Sequence, residues 1–318
     1  MNIIKRLVKT GGLGPYGMES INWGINESYW LSKFIEHRYG KLNIYLCSVY
    51  GKRKKIRWSF GKKIFFSGEN LEPVIEHNGL LHSNEYNMRQ YLEAIQNRYS
   101  DYCIDECDVS LGYKDKDIKG YMRFPLWIMY IVPYWANIED VKNIVSNINM
   151  TKSKAIREAV LINKHDCWGI RKKICDDLNG SLDITYAGKW RNSTNELWEQ
   201  FNDDKLKYLN MFKFNICPEN MDARDYCTEK IFDALRCGCI PIYAGCNDKP
   251  ELDIINQDFI IKWNLDGDNT NNIKLINRLR TDDRFYCEWM KKKKLKPYAQ
   301  EYIMERLQKL EERIGQLL

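Results

Sequence analysis

The stretch FKFNICPENMDARDYCTEKIFDALRCGCIPIYAG, residues 212–245, limits what this chain can fold into more than any other part of it. Phe212–Cys217 reads as a short buried strand and Ile240–Tyr243 as a second one. Between them, TEKIFDALRC has helical spacing, with Thr228 at the N-cap position and Gly238 just past the helix end. Strand, loop, helix and strand in this order form a βαβ unit, whose two strands lie parallel. The chain is therefore expected to be α/β with parallel sheets.

The remaining pattern agrees. Strand-like runs occur at Leu42–Val49, Lys63–Phe66, Val109–Gly112, Ala159–Ile162 and Leu182–Tyr186. Helical spacing occurs at Ser28–Tyr39, Met88–Tyr99, Glu139–Ile148, Trp168–Leu178, Glu196–Tyr208 and Tyr298–Leu317. The GKRKK run at 51–55 reads as a basic turn. Phe124–Trp135 carries two prolines and is too short to span a membrane, so it reads as a buried strand or core segment. A single core stops growing at roughly 250–300 residues, so 318 residues favour two domains. The division expected is 1–150, 151–290 and a helical tail, 291–318.

Composition excludes more than it selects. A net charge of +6 fits phosphate-bearing ligands or an anionic membrane surface, but it is too weak for nucleic acid, and no basic stripe with interleaved aromatics is present. The opening MNIIKRLVKTGG lacks the apolar stretch and cleavage site of a secretion signal. The 11 cysteines are odd in number and irregular in spacing. A reducing cytoplasm is the compartment expected, with peripheral contact at the inner face of the membrane as an extension.

Ligands of open parallel sheets bind beyond the carboxyl ends of the strands, and helix N-termini attract phosphates. Two polar segments fall at such places, SGEN at 67–70 and PENMDARDYCTEK at 218–230. Glu229 and Lys230 lie in the first helical turn, where Lys suits a diphosphate and Glu suits ribose hydroxyls. The competing account is that Thr228 and Glu229 merely cap the helix and Lys230 is solvated.

The 212–245 stretch resembles the donor-binding signature of the family 10 α-1,3/4-fucosyltransferases, with its Glu-Asn, Tyr-x-Thr-Glu-Lys and Ile-Pro-Ile-Tyr-x-Gly elements in order. KKIFFSGENLEP resembles the family's Gly-Glu-Asn segment, and LGYKDKDIKGYMRFPLW its Gly-Tyr…Tyr-x-Arg-x-Pro-Leu segment. The resemblance covers about 42–261. It implies a GT-B-like fold, two Rossmann-like domains facing a cleft. It also implies inverting transfer of fucose from GDP-fucose to a GlcNAc-containing or related glycan, oligosaccharide or glycolipid, with no metal and no further cofactor. By motif match Glu69 is the general base. Lys230 and Arg171 stabilise the leaving diphosphate, although Lys164, Lys172 and Lys173 compete with Arg171 in a looser alignment. Glu229 holds the ribose, Asn220 and Tyr226 line the donor pocket, and Gly188 lets backbone approach the donor. Arg123 and His77 are acceptor-side candidates. Pro218, Met221 and Cys227 depart from the family pattern without removing a charge. Two alternatives stay open, another nucleotide-sugar donor and a non-catalytic glycan-binding protein.

Other signals carry less. Gly12, Gly14 and Gly17 satisfy G-x-G-x-x-G, but Pro15 lies inside and no proper strand precedes them. The pairs Cys103–Cys107 and Cys237–Cys239 have spacing that suggests zinc, yet the second sits in a helix–strand junction expected to be buried. Asp203-Asp204 and Asp282-Asp283 read as solvated pairs and not as a metal-holding motif. In the tail, Ile303, Leu307, Leu310, Ile314 and Leu317 repeat at 4-3-4-3 spacing, an a/d seam. That seam packs back on the protein, or it supports a homodimer or peripheral membrane contact together with Lys291–Lys294.

Overall fold

The computed structural model describes residues 24–318 apart from 41, 43, 51, 59–60, 79, 81–85 and 151–154. Gly12, Gly14 and Gly17 lie outside the described residues. The chain forms two compact units. The first gathers the described residues up to Pro73, Gln90–Lys142 and Gln300–Leu318; the second gathers Val74–Arg89 and Asn143–Ala299. Compactness thus divides the chain differently from a linear cut at 150 and 290.

The first unit is built on four parallel strands, β1 (Ile44–Ser48), β2 (Lys62–Phe66), β3 (Val109–Gly112) and β4 (Tyr121–Arg123), adjacent in that order. Their side chains are mostly buried on both faces, which is why IYLCS, KIFF and VSLG read as continuous rather than alternating runs. The short β4 has no distinct signal in the sequence.

Two segments of this unit differ from the sequence reading. The basic GKRKK region is not a turn but a helix, Arg53–Trp58. Arg53 Nε donates to Glu106 at 2.9 Å and its guanidinium also meets Asp101, so the repulsion along the run is neutralised. Ile56, 1% exposed, anchors it. The apolar Phe124–Trp135 segment holds a helix, Leu126–Ile131, behind Pro125. Pro125 at φ −72° and ψ 145° starts it, and a short apolar run does not distinguish helix from buried strand.

The tail forms the helix Ala299–Gly315. Ile303, Leu307, Leu310 and Ile314 are all buried, roughly 2 kcal/mol apiece. Tyr302 stacks on Trp127 at 6.1 Å, Lys309 pairs with Asp117, and Arg313 donates to Ile118 O at 3.2 Å. The seam is therefore occupied within the first unit.

The second unit carries β5 (Arg157–Leu161), β6 (Ile184–Tyr186), β7 (Phe212–Ile216), β8 (Ile240–Tyr243) and β9 (Ile261–Lys262), all parallel. Their spatial order is β6-β5-β7-β8-β9. The sequence order reverses between β5 and β7, which marks a topological switch point. The helix expected over 196–208 is broken into Glu196–Glu199 and Lys205–Leu209. Asn202 and Asp203 adopt positive φ between them, and Asp204 then caps the second piece by accepting from Lys207 N. Helices Thr270–Thr281 and Asp283–Met290 follow β9; their periodicity does not separate them from loop in the sequence. Among the described residues no helix is long and apolar enough to cross a membrane. All eleven cysteines are free thiols and only Cys287 is exposed.

Candidate active site

The loops after β5 and β7 leave the sheet at its switch point, where an open parallel sheet offers its ligand crevice. β5 runs into Asn163–Gly169 and then the helix Ile170–Asp177. Asp166, 1% exposed, accepts from Arg171 N at 3.2 Å and Lys172 N at 2.8 Å, satisfying two N–H groups of that helix start. Its carboxylate also lies 3.8 Å from the Arg171 guanidinium.

Arg171 is almost fully buried. One terminal nitrogen donates to His165 O at 2.8 Å and the other to Asn220 Oδ1 at 2.8 Å. Its Nε has no hydrogen-bond partner among the described residues. Burial pulls the guanidinium below its ordinary pKa, and Asp166 and Glu219 oppose that pull. A buried cation holding an unused donor is prepared for an anion.

β7 ends in Cys217-Pro218-Glu219-Asn220, and Glu219 organises the loop and the helix start beyond it. It is completely buried. It accepts from Thr228 N at 2.8 Å, Thr228 Oγ1 at 2.6 Å, Lys230 Nζ at 2.9 Å and Tyr243 Oη at 3.2 Å. Gly245 makes room for it: a Cβ there would stand 2.9 Å from both Glu219 Cβ and Cγ.

The helix Glu229–Cys237 begins after Thr228 and ends at Gly238, which has φ 75°. Thr228 holds the N-cap position but makes no side-chain cap bond. Glu219 has claimed its hydroxyl instead. Lys230 is therefore not a solvated side chain. Burial would lower its pKa, but Glu219 and Glu229 raise it above the ordinary value, while Arg171 is near enough to oppose them. Burial would likewise raise Glu229, yet Lys230 and Lys205 hold its carboxyl below the usual range. Tyr226, 1% exposed, stands within electrostatic reach of Arg171. The second unit thus brings Arg171, Asn220, Tyr226, Glu229 and Lys230 together around Glu219.

A Cβ at Gly188 would lie 2.0 Å from Asn163 O and 2.3 Å from Asn163 N, so the glycine allows two loops of the protein itself to touch. His77 belongs to the second unit. Its Nε2 meets Asp222 at 2.9 Å and its Nδ1 meets Asp266 at 2.7 Å. Burial lowers its pKa, but these two carboxylates raise it above the ordinary value overall. Ile75 N donates to Asp222 O at 2.8 Å beside the Val74–Ala223 bridge, so this segment is fastened to the loop after β7.

In the first unit Glu69 stands beyond the carboxyl end of β2 and is 2% exposed. Tyr50 Oη donates to its Oε1 at 3.0 Å. Arg123, at the end of β4, is buried and donates from Nε to Tyr302 Oη at 3.1 Å. Sequence reasoning does not single out Glu219, Asp166 or Asp222. The available signal is an acid placed just beyond an apolar strand, since a buried carboxylate needs dedicated partners.

Residues 150–313 match the model of glycosyltransferase family 10 (fucosyltransferase), C-terminal, and residues 29–130 match that of the alpha-(1,3)-fucosyltransferase FucT N-terminal domain. The chain is similar to alpha-(1,3)-fucosyltransferase FucT of Helicobacter pylori, 27% identical over 203 residues, which is 61% of this chain and 39% of that protein. It thus spans about two fifths of the length of that curated relative. A crystal structure of an alpha1,3-fucosyltransferase with GDP superposes with a TM-score of 0.50 at 18% identity, covering 79% of this chain and 74% of the other. One with GDP-fucose gives 0.48 at 20% identity over 78% and 74%. Because the family 10 model accounts for just over half of the chain and continues the signature read at 212–245, the chain belongs to the family 10 glycosyltransferases, the fucosyltransferases.

Proposed function

We propose that this chain transfers L-fucose from GDP-fucose to a hydroxyl of a GlcNAc-containing or related glycan, with inversion, as an α-1,3-fucosyltransferase. The observation that carries the reading is the cluster at the switch point. Arg171, buried and with an unused Nε, and the half-buried Lys230 are two cations converging beside the loop after β7. A leaving nucleoside diphosphate needs such charge. Arg171 and Lys230 stabilise it, Glu229 accepts from the ribose hydroxyls, and Asn220 and Tyr226 line the pocket. The family supports fucose as the sugar and GDP as the carrier.

Glu69 takes the acceptor's proton. The acceptor oxygen bonds to the anomeric carbon of fucose as the bond from that carbon to the β-phosphate oxygen breaks, and GDP leaves with the electron pair. The carboxylate sits at a strand's carboxyl end and is buried, which suits a group acting on a bound hydroxyl. The free, mostly buried thiols fit a reducing compartment.

The test is turnover of GDP-fucose with lactosamine-type acceptors. Glu69→Ala should lower kcat by roughly 10²–10⁴-fold and leave GDP binding intact. Unaltered transfer by Glu69→Ala removes it as the base. Thermal stabilisation by UDP or ADP but not by GDP refutes the donor. Transfer should persist in EDTA; its loss there and rescue by a divalent ion refute charge stabilisation by side chains alone.

A further inference from the structure

The carboxyl ends of three neighbouring parallel strands converge on the loop that carries Glu69. The register pairs Ser48 with Phe66 and Phe66 with Leu111, so β1, β2 and β3 end at one edge of the sheet. β2 continues into Ser67-Gly68-Glu69-Asn70. Ser67, fully buried, donates from Oγ to Glu69 O at 2.8 Å and accepts from Glu69 N at 3.2 Å. Tyr113, the first residue after β3 and itself buried, donates to Gly68 O at 3.1 Å. Asn70 closes the far side by accepting from Glu72 N and donating to Glu72 O. These contacts hold the backbone of the loop. A different residue addresses the carboxylate: Tyr50, two positions beyond β1, whose hydroxyl donates to Glu69 Oε1 at 3.0 Å.

We propose that Tyr50 is the positioning residue of the general base, holding the Glu69 carboxylate in one orientation and keeping it ionised at the pH of turnover. This rests on reading Glu69 as the base. A neutral donor bonded to a carboxylate favours the ionised form. At 2% exposure bulk water does not supply that bond, so the protein must. In the transfer step the acceptor's O–H bond breaks and the proton passes to Glu69; Tyr50 keeps its own proton throughout. Tyr91, whose hydroxyl feels the Glu69 charge, and Glu72, whose carboxylate is taken up by Lys114 and Tyr102, also lie around the loop.

The experiment is the pH profile of kcat for fucosyl transfer in four proteins: wild type, Tyr50→Phe, Tyr50→4-aminophenylalanine and Tyr113→Phe. Losing the hydroxyl raises the carboxyl pKa, so the base stays protonated to higher pH. The acid limb of Tyr50→Phe should therefore move up by about one pH unit, a roughly tenfold loss of kcat on that limb. KM for GDP-fucose should not change. The 4-amino variant keeps a weaker donor in the same place and should fall between Tyr and Phe. Tyr113→Phe, which removes the bond to Gly68 O and leaves the Tyr50 hydroxyl in place, should lower Tm without moving the limb. Identical acid limbs in wild type, Tyr50→Phe and the 4-amino variant, with Glu69→Gln inactive, would overturn the role of Tyr50 while leaving Glu69 as base. Full activity of Glu69→Gln would remove the base and this inference with it.

Discussion

Glu219→Ala is the perturbation with the largest effect this site should show on stability. The carboxylate is 0% exposed and accepts four hydrogen bonds, from Thr228 N, Thr228 Oγ1, Lys230 Nζ and Tyr243 Oη. Truncation strands all of these donors, among them an ammonium only 15% exposed. Breaking a buried pair by removing one partner costs about 3–5 kcal/mol, because a charge is left uncompensated. Against a total stability of about 5–15 kcal/mol that is a large share. A domain of this size loses about 2–4 °C per kcal/mol, so calorimetry should show Tm falling by roughly 10 °C. The mechanism, not only the size, is testable. If the stranded charge dominates, Glu219→Ala/Lys230→Met should be more stable than Glu219→Ala alone, a coupling of about 1–3 kcal/mol. A double variant that simply sums the two losses, or a single variant within about 2 °C of wild type, less than the smallest shift expected per kcal/mol, refutes the reasoning.

The same geometry sets three further outcomes. Gly245→Ala should cost about 3 kcal/mol and lower GDP affinity, because the new Cβ meets Glu219 at 2.9 Å on a residue with φ 130°; thermal melts with and without GDP measure both. Arg171→Lys keeps the charge but loses the fork that reaches His165 O and Asn220 Oδ1, so the Kd for GDP should rise roughly tenfold to a hundredfold by calorimetric titration. His77 has a folded pKa raised above its unfolded value. Its contribution to stability is therefore complete below about pH 6.5 and is lost as pH rises through the higher folded pKa. Tm should fall across that window in wild type and not in His77→Gln; parallel curves would exclude the Asp222–His77–Asp266 bridge as their cause.

The βαβ unit at 212–243 was legible because every local signal agreed: an apolar strand, a helix start at Thr228 and a glycine at φ 75° to end the helix. Phe124–Trp135 was not, because a short buried run has no period to betray its state and only packing chose the helix Leu126–Ile131. The pairing of His77 with Asp222 and Asp266 spans 145 and 189 residues of sequence. No local pattern encodes a contact of that range. Lys230 was legible as a cation at a helix start, but its confinement was not, since that depends on Glu219, eleven residues earlier on another element.

That confinement bears on how a site without a ligand can keep two cations close together. Arg171 and Lys230 repel each other; Arg171 is buried and Lys230 is partly withdrawn from water. Unopposed, burial would favour loss of the Lys230 proton, leaving a neutral amine where a diphosphate needs charge. Asp166 beside Arg171 and Glu219 beside Lys230 prevent this by holding the cations charged and oriented before any anion arrives. For the proposed donor the arrangement should also limit affinity, because an incoming diphosphate would share Lys230 with Glu219 rather than meet a free ammonium. The reward appears late in the reaction. In the proposed reaction charge grows on the β-phosphate as the bond to the sugar breaks, and preset donors would stabilise that growth without reorganising. A site built this way should bind GDP moderately and discriminate more strongly in kcat than in KM, so Glu219→Gln, which keeps the shape and removes the charge, should alter kcat for GDP-fucose more than it alters the Kd for GDP. A larger change in Kd than in kcat would mean that Glu219 serves binding alone.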